Sequence, residues 1–253
     1  MVALLGLPGA AAEATTIDLS ANLSGTLNGA VFAQFDPFNG AGAGSGNIDA
    51  FVRYDGPGPP SDIKRGYNVD VASQTDFQYD ELWGQFTHSL LLSAVPVVQY
   101  EGTAYREFIF DINETGGAGS VLSLDKVEVF LADAGDLVGH GGFAGGTTSL
   151  IYNMDAGDPT NFVLLDGDIS GSGSGKFDML LLVPEAFFAG ADPSLDYVIL
   201  YSQVGAEGGL LGNDDGFNEW GVSMNGGVIP EPGTFSLLAI GLVSLAVSRR
   251  RAR

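Results

Sequence analysis

Ten apolar runs of strand length, separated by clusters of Gly, Ser, Asn and Asp, punctuate the chain between residues 15 and 227 and favour stacked antiparallel sheets. The predicted strands are 29–35 (GAVFAQF), 48–54 (IDAFVRY), 86–92 (FTHSLLL), 104–113 (AYREFIFDIN) and 120–131 (SVLSLDKVEVFL), then 149–154, 162–168, 176–183, 197–204 and 217–224. In the fifth run Leu124, Val127, Val129 and Leu131 alternate with Lys126 and Glu128, which gives one buried and one wet face. The alternation slips at Asp125, the mark of a β-bulge. Between runs lie GAGAGSG (40–46), GPGPPS (56–61), GHGGFAGG (139–146) and GSGSG (171–175), turn chemistry without the order of a phosphate-binding loop. PEAFFAG (184–190) predicts a single helical turn with Pro184 at its first position. No repeat recurs at a fixed period. The expectation is one all-β domain over 15–227, a jelly-roll-like β-sandwich of antiparallel strands, long enough to bury a sizeable core.

Composition narrows the function classes. With no cysteine there is no disulfide framework, no thiol nucleophile and no thiolate metal site. The chain carries 10 basic and 31 acidic residues; without the four terminal arginines, Glu13 and Glu231, the region 15–227 holds 6 against 29, a net charge of −23. Such a surface repels nucleic acid and anionic headgroups, which excludes a nucleic-acid partner. It suits solubility outside a cell, and it repels an anionic polysaccharide unless divalent cations bridge the two.

The C-terminal end has a separate character. Pro230, Glu231, Pro232 and Gly233 precede fifteen uncharged residues, 234–248, and then come Arg249, Arg250, Arg251 and Arg253. The prolines oppose regular helix and sheet pairing and leave an extended, protease-accessible strip. The apolar segment reaches about 22 Å as a helix, short of the roughly 30 Å hydrocarbon layer unless its flanks contribute. The arginines hold the C-terminus on the cytoplasmic side and leave the body outside. This predicts a short C-terminal transmembrane helix. A Pro-Glu-Pro motif, an apolar helix and an arginine cluster in this order resemble the PEP-CTERM sorting signal of Gram-negative bacteria. The resemblance implies recognition by an exosortase, transient membrane insertion by the C-terminal helix as an inner-membrane-anchored precursor, and release to the cell surface or the extracellular matrix. The body, in GAVFAQFDP, FTHSLLLSAVPVV, YREFIFDIN, LSLDKVEVFLAD and DGFNEW, also resembles a group of PEP-CTERM proteins, which implies one intact domain and no catalytic residue.

At the other end, residues 1–14 include VALLGLPGAAAEA, an apolar stretch with small residues after it at Ala10 and Ala12, or Ala12 and Ala14. These read as the remnant of a secretory signal peptide that uses the Sec export machinery. No Lys or Arg occurs before Arg53, so Met1 is expected to be an internal start, with the mature chain beginning near Glu13 or Thr15.

Candidate site residues are few. His88 is expected on a strand face with Phe86 and Leu90 as a hydrogen-bonded structural residue, and His140 in a loop without a role. The carboxylate pairs Glu107 with Asp111, Asp214 with Glu219 and Asp76 with Asp80 could serve a glycosidase, but acids are too abundant for any pair to stand out. Asn213, Asp214, Asp215 and Glu219, with Gly216 and Asn218, offer oxygen donors of the kind Ca²⁺ takes, or else an Asx turn into the last strand. Asp155 with Asp158 and Asp133 with Asp136 are weaker forms of the same cluster. Tyr79 and Trp83, near Phe77, Tyr67 and Tyr100, could form a sugar-binding platform or lie in the core. The leading expectation is an exported, non-enzymatic protein of the exopolysaccharide or biofilm matrix. The alternatives are a carbohydrate-binding module and a polysaccharide-active hydrolase or lyase.

Overall fold

Alternating apolar residues build two sheets whose inner faces meet. The computed structural model describes residues 15–21, 24–34, 48–55, 63–113, 120–168, 178–205 and 216–224. The leader 1–14, the loops 40–46, 56–61 and 171–175, the ligand candidates Asn213, Asp214 and Asp215, and the tail 228–253 lie outside the described residues. The strands are β1 (Thr16–Asp18), β2 (Ser24–Leu27), β3 (Ala30–Ala33), β4 (Ile48–Asp55), β5 (Lys64–Tyr67), β6 (Leu90–Leu91), β7 (Val97–Tyr100), β8 (Thr103–Asp111), β9 (Val121–Ala132), β10 (Thr148–Asn153), β11 (Phe162–Asp166), β12 (Met179–Pro184), β13 (Tyr197–Val204) and β14 (Phe217–Ser223). Among the described residues no helix is long and apolar enough to cross a membrane. The apolar segment 234–248 is not among them.

The first sheet runs β1-β11-β9-β13-β5, with β10 also on β9 and β6 also on β13. The second runs β2-β3-β12-β8-β14-β4, with β7 also on β8. Among the described residues every strand pairing is antiparallel except β1 with β11. Four pairings, β4–β14, β8–β12, β5–β13 and β9–β11, join the eight principal strands. In chain order those eight change sheet at every step except β9 to β11. Two tight hairpins, β2–β3 and β7–β8, turn on Asn28-Gly29 and Glu101-Gly102, all four residues at positive φ, as a two-residue turn matched to strand twist requires.

Between the sheets, Leu122, Leu124, Val127 and Val129 of β9 and Val198, Leu200 and Val204 of β13 face Phe108, Phe110, Leu181 and Trp220, all fully buried. Trp220 stacks on Phe110 at 4.5 Å between ring centroids. Its Nε1 donates to Ser202 Oγ at 2.8 Å, and Ser202 Oγ donates to Tyr54 OH at 3.2 Å. This relay crosses from one sheet to the other and satisfies the polar atoms of three wholly buried side chains. Burial drives the Tyr54 phenol well above its ordinary pKa, so it remains protonated.

The expected bulge is present: β13 pairs Gln203 with Lys126 and then Val204 with Leu124, leaving Asp125 as the extra residue on β9. The expected strand at 86–92 is reduced to Leu90–Leu91, with a 3₁₀ turn directly after it at Leu92–Ala94. Amides of that run serve other partners; His88 N–H, for example, donates to Phe51 O at 3.0 Å and Ser89 N–H to Asp70 Oδ1 at 3.0 Å. The helical turn forms at Glu185–Phe188, with Pro184 at the capping position rather than the first.

Replacing Ser202 with Ala leaves the Trp220 N–H buried without its acceptor. The change should cost about 1–3 kcal/mol, read as a lowered midpoint in urea at unchanged slope.

Candidate functional site

Residues 68–89 leave β5, cross the outer face of the first sheet and then run along the side where β5 and β4 form neighbouring sheet edges. Their hydrogen bonds reach both edges. On the β5 side, Asp80 N–H donates to Arg65 O at 3.1 Å, Arg65 N–H donates to Asp80 Oδ2 at 3.0 Å, and Tyr67 N–H donates to Glu81 Oε1 at 3.1 Å. On the β4 side, Leu82 N–H donates to Arg53 O at 2.8 Å, His88 N–H to Phe51 O, and Arg53 N–H to Thr87 Oγ1 at 3.2 Å. Glu81 is the pin: its residue is 4 % exposed, it bridges to Tyr54, and Oε2 accepts Tyr79 N–H at 2.8 Å. Burial pushes its carboxyl pKa up, against the pull of these amides. Room for the side chain exists because β5 carries Gly66, where a Cβ would stand 2.9 Å from Glu81 Cγ.

Beneath this segment lies an aromatic layer on the outer face of the first sheet. Tyr67, Tyr201, Phe143, Leu137 and Val69 are buried, with Phe77, Tyr79, Val71 and Phe130 packed against them. His140 locks the layer. Its ring stacks on Tyr201 at 3.8 Å and 11°, Nε2 meets Glu128 Oε2 at 2.7 Å, and Nδ1 lies 3.3 Å from Tyr79 OH. Both nitrogens are engaged and the side chain is 11 % exposed, so the imidazole ties the glycine-rich loop 139–146 to the sheet and has no free nitrogen for a substrate. Contrary to the expectation of a loop residue without a role, His140 is structural; nothing around it in the chain announces that Glu128 and Tyr201 face outward beneath it. Burial raises the Tyr67 and Tyr201 phenols to about 12. Burial also acts to raise the Glu128 carboxyl, but the His140 hydrogen bond and the Lys126 charge outweigh it, and the net shift is downward.

The expected aromatic platform divides. Tyr67 is buried in the layer, Tyr79 is half-buried against His140, and Tyr100 lies on the other sheet edge-on to Tyr105. Trp83 alone of the expected pair with Tyr79 faces outward, at 52 % exposure, with Phe77 at 6.1 Å between ring centroids. It borders a cleft of 260 Å³ together with Asp70, Val71, Gly84, Thr87 and His88. Asp70 Oδ1 accepts Ser89 N–H and Oδ2 accepts Ser89 Oγ–H at 2.6 Å, while Asp70 N–H donates to Gly135 O at 2.9 Å. His88 does not occupy a strand face; its Nδ1 donates to Ser89 O at 2.8 Å and Nε2 lies 3.4 Å from Asp49 Oδ1.

Four of the acidic candidates, Glu219, Asp76, Asp80 and Asp133, are held by partners within the fold. Glu219 is held by Arg53 through Nε at 2.6 Å, and that guanidinium lies between the rings of Phe86 and Phe217. Asp76 caps its own 3₁₀ turn by accepting Ser73 N–H at 3.0 Å, Asp80 serves Arg65, and Asp133 Oδ1 accepts Thr147 N–H at 2.9 Å. Glu107 and Asp111 are buried on β8. Among the described residues no three His, Asp or Glu side chains are placed to hold a metal ion. Asp155 Oδ1 is buried with no hydrogen-bond partner among the described residues, and burial pushes its carboxyl up to about 6.

Residues 228–251 match the PEP-CTERM protein-sorting motif. The chain carries a PEP-CTERM sorting signal. That signal marks an exported protein with a membrane-anchored precursor and implies an exosortase as its processing partner. No curated protein and no solved structure matches the chain.

Two carboxylates should reveal themselves in the pH dependence of stability. Glu128 has a lowered folded-state pKa, so its contribution is present above the ordinary glutamate value and is lost as pH falls. Glu128→Gln should destabilise by about 1–2 kcal/mol at pH 7, with the deficit shrinking toward pH 3. Asp155 has a raised pKa, so its contribution is present below the ordinary aspartate value and is lost as pH rises through about 6. Asp155→Asn should therefore raise the melting temperature at pH 7 by an amount equivalent to about 1 kcal/mol after allowance for solvent screening, and change little at pH 3. Thermal melts across pH check both.

Proposed function

We propose that the mature protein is a non-enzymatic, secreted jelly-roll domain that works outside the cell in association with extracellular polysaccharide, as part of a surface layer or biofilm matrix. The observation that carries this reading is the PEP-CTERM motif at 228–251, a few residues beyond Ser223, the last residue of β14. The body that precedes it supports export: cysteine-free and strongly acidic, with its fold built from packing rather than cross-links. The jelly-roll reading rests on the pairings β4–β14, β8–β12, β5–β13 and β9–β11, which reproduce a folded-over double ribbon whose two halves alternate between sheets. A non-enzymatic role is favoured because the only histidine in close contact with a glutamate among the described residues, His140, commits both ring nitrogens to the scaffold. Entry to the export route belongs to the Sec machinery, with residues 1–14 as the remnant of its signal. Ca²⁺ bridging at Asn213, Asp214 and Asp215 would reconcile the acidic body with an anionic matrix.

A second reading, a carbohydrate-binding module, is favoured by one observation: Trp83 is half exposed at the rim of a cleft that also carries Asp70, Thr87 and His88, whereas Trp220, the other tryptophan, is fully buried.

Mass spectrometry of the protein from culture medium should find it shortened within or just before the apolar tail. Substituting Pro230, Glu231 and Pro232 with Ala should hold the full-length precursor in the membrane fraction. Intact chain ending in Arg253, soluble in the cytosol, would contradict the reading.

A further inference from the structure

We propose that the cleft beside Trp83 is a binding subsite for one uncharged pyranose ring of an extracellular polysaccharide. This rests on the matrix-associated reading above and names the contact through which such association would occur. Three features of the cleft carry it.

The first is the ring. A half-exposed indole keeps a large apolar face in water, a cost that a fold with a full aromatic layer close by had the means to avoid. The C–H face of a pyranose is the complementary surface, since it covers the ring while its hydroxyls stay at the wet rim. Gly84, at φ +139°, turns the chain at the residue after the indole; a Cβ there would meet nothing within 4 Å, so that side of the cleft is open.

The second is the polar rim. Each Asp70 carboxylate oxygen accepts one hydrogen bond from Ser89, which fixes the group and leaves further lone pairs on both oxygens for sugar hydroxyls. His88 donates through Nδ1 to Ser89 O, which fixes its ring. These groups ride on backbone bonded to β4 and to Gly135, so little ordering entropy remains to be lost on binding. A cleft of 260 Å³, just below the usual ligand range of about 300–1,000 Å³, suits one ring and no longer segment.

The third is charge. Asp70 lines the cleft, Asp49 stands beside His88, no Lys or Arg among the described residues lines it, and Arg53 nearby is neutralised by Glu219. A uronate or sulfated sugar would meet carboxylates on a body of net charge −23. The preferred ligand is therefore neutral.

The chain has two tryptophans, so full-length protein carrying ¹⁵N-tryptophan gives two indole N–H resonances, assigned with Trp83→Phe. They should be titrated with methyl glucoside, galactoside and mannoside, methyl N-acetylglucosaminide, glucosamine and glucuronate. We expect a saturable shift of the Trp83 signal with one or more neutral glycosides, no shift of Trp220, and no response to glucuronate. Asp70→Asn should weaken that binding about 2- to 10-fold, the worth of one hydrogen bond. A silent Trp83 signal across the neutral sugars, or a response confined to glucosamine or glucuronate, overturns the subsite. Co-sedimentation with exopolysaccharide purified from a producing culture separates the two levels. Co-sedimentation with a silent Trp83 sinks the subsite and leaves the matrix reading standing. Shifts at Trp83 without co-sedimentation do the reverse.

Discussion

A single buried carboxylate holds the side of the sandwich together. β5 and β4 are edge strands of different sheets, and an uncovered edge is a row of unpaired amides and carbonyls open to another chain. Here the segment around residues 80–88 bonds to both. Glu81 sits at the turning point, nearly inaccessible, with two backbone amides on its two oxygens. Removing a carboxylate from water costs several kcal/mol, and charge-assisted bonds from fixed amides are the kind of partner that offsets it. Gly66 is part of the same arrangement, because any side chain there would displace Glu81.

The aromatic layer and the cleft both depend on that seam. Once residues 68–89 are fixed, their aromatic side chains divide by which way they point. Tyr79 and Phe77 go down onto Tyr201, Tyr67 and the His140 ring, forming a second apolar layer on the outer face of the first sheet, and Trp83 is left on top. Arg53 packs between Phe86 and Phe217 while paired with Glu219, so the outer end of the seam is both stacked and charge-balanced. The rim of the cleft thus belongs to the scaffold, a condition for recognising a small ring without the entropy cost of ordering a loop. The sorting signal follows the last strand in the chain: β14 is an inner strand between β8 and β4, so cutting downstream of it leaves the strand pairings of the described residues untouched.

Sequence pattern was informative where a residue's neighbours in space are its neighbours in a ladder. The long strands β4, β8, β9, β13 and β14 were all anticipated, and the slip at Asp125 in β9 was readable because a bulge breaks a period of two. Among the short strands, β3 falls within the expected run 29–35, whereas β1, β2, β5 and β7 fall in none of the expected runs. SGTL and KRGY carry no alternation of apolar residues, and KRGY is defined by Glu81, fourteen residues beyond Tyr67, rather than by its own pattern. FTHSLLL misled for the opposite reason: it has strand composition, but its amides are committed to Phe51 and Asp70. In the candidate site Trp83 was nameable and its separation from Tyr79 was not, since that depends on which face a loop turns to the sheet. His140 was invisible, as its partners Glu128 and Tyr201 come from two strands that only the fold brings side by side.

Native-state hydrogen exchange tests the seam most directly. If Glu81 pins residues 68–89 as an integral part of the sandwich, the amides of Tyr67, Tyr79, Leu82 and His88 exchange only through the global unfolding that releases the β8 and β12 amides, with the same dependence on denaturant. Exchange of those four amides at markedly lower free energy, by an opening insensitive to denaturant, would show a loop that detaches alone and would contradict the account.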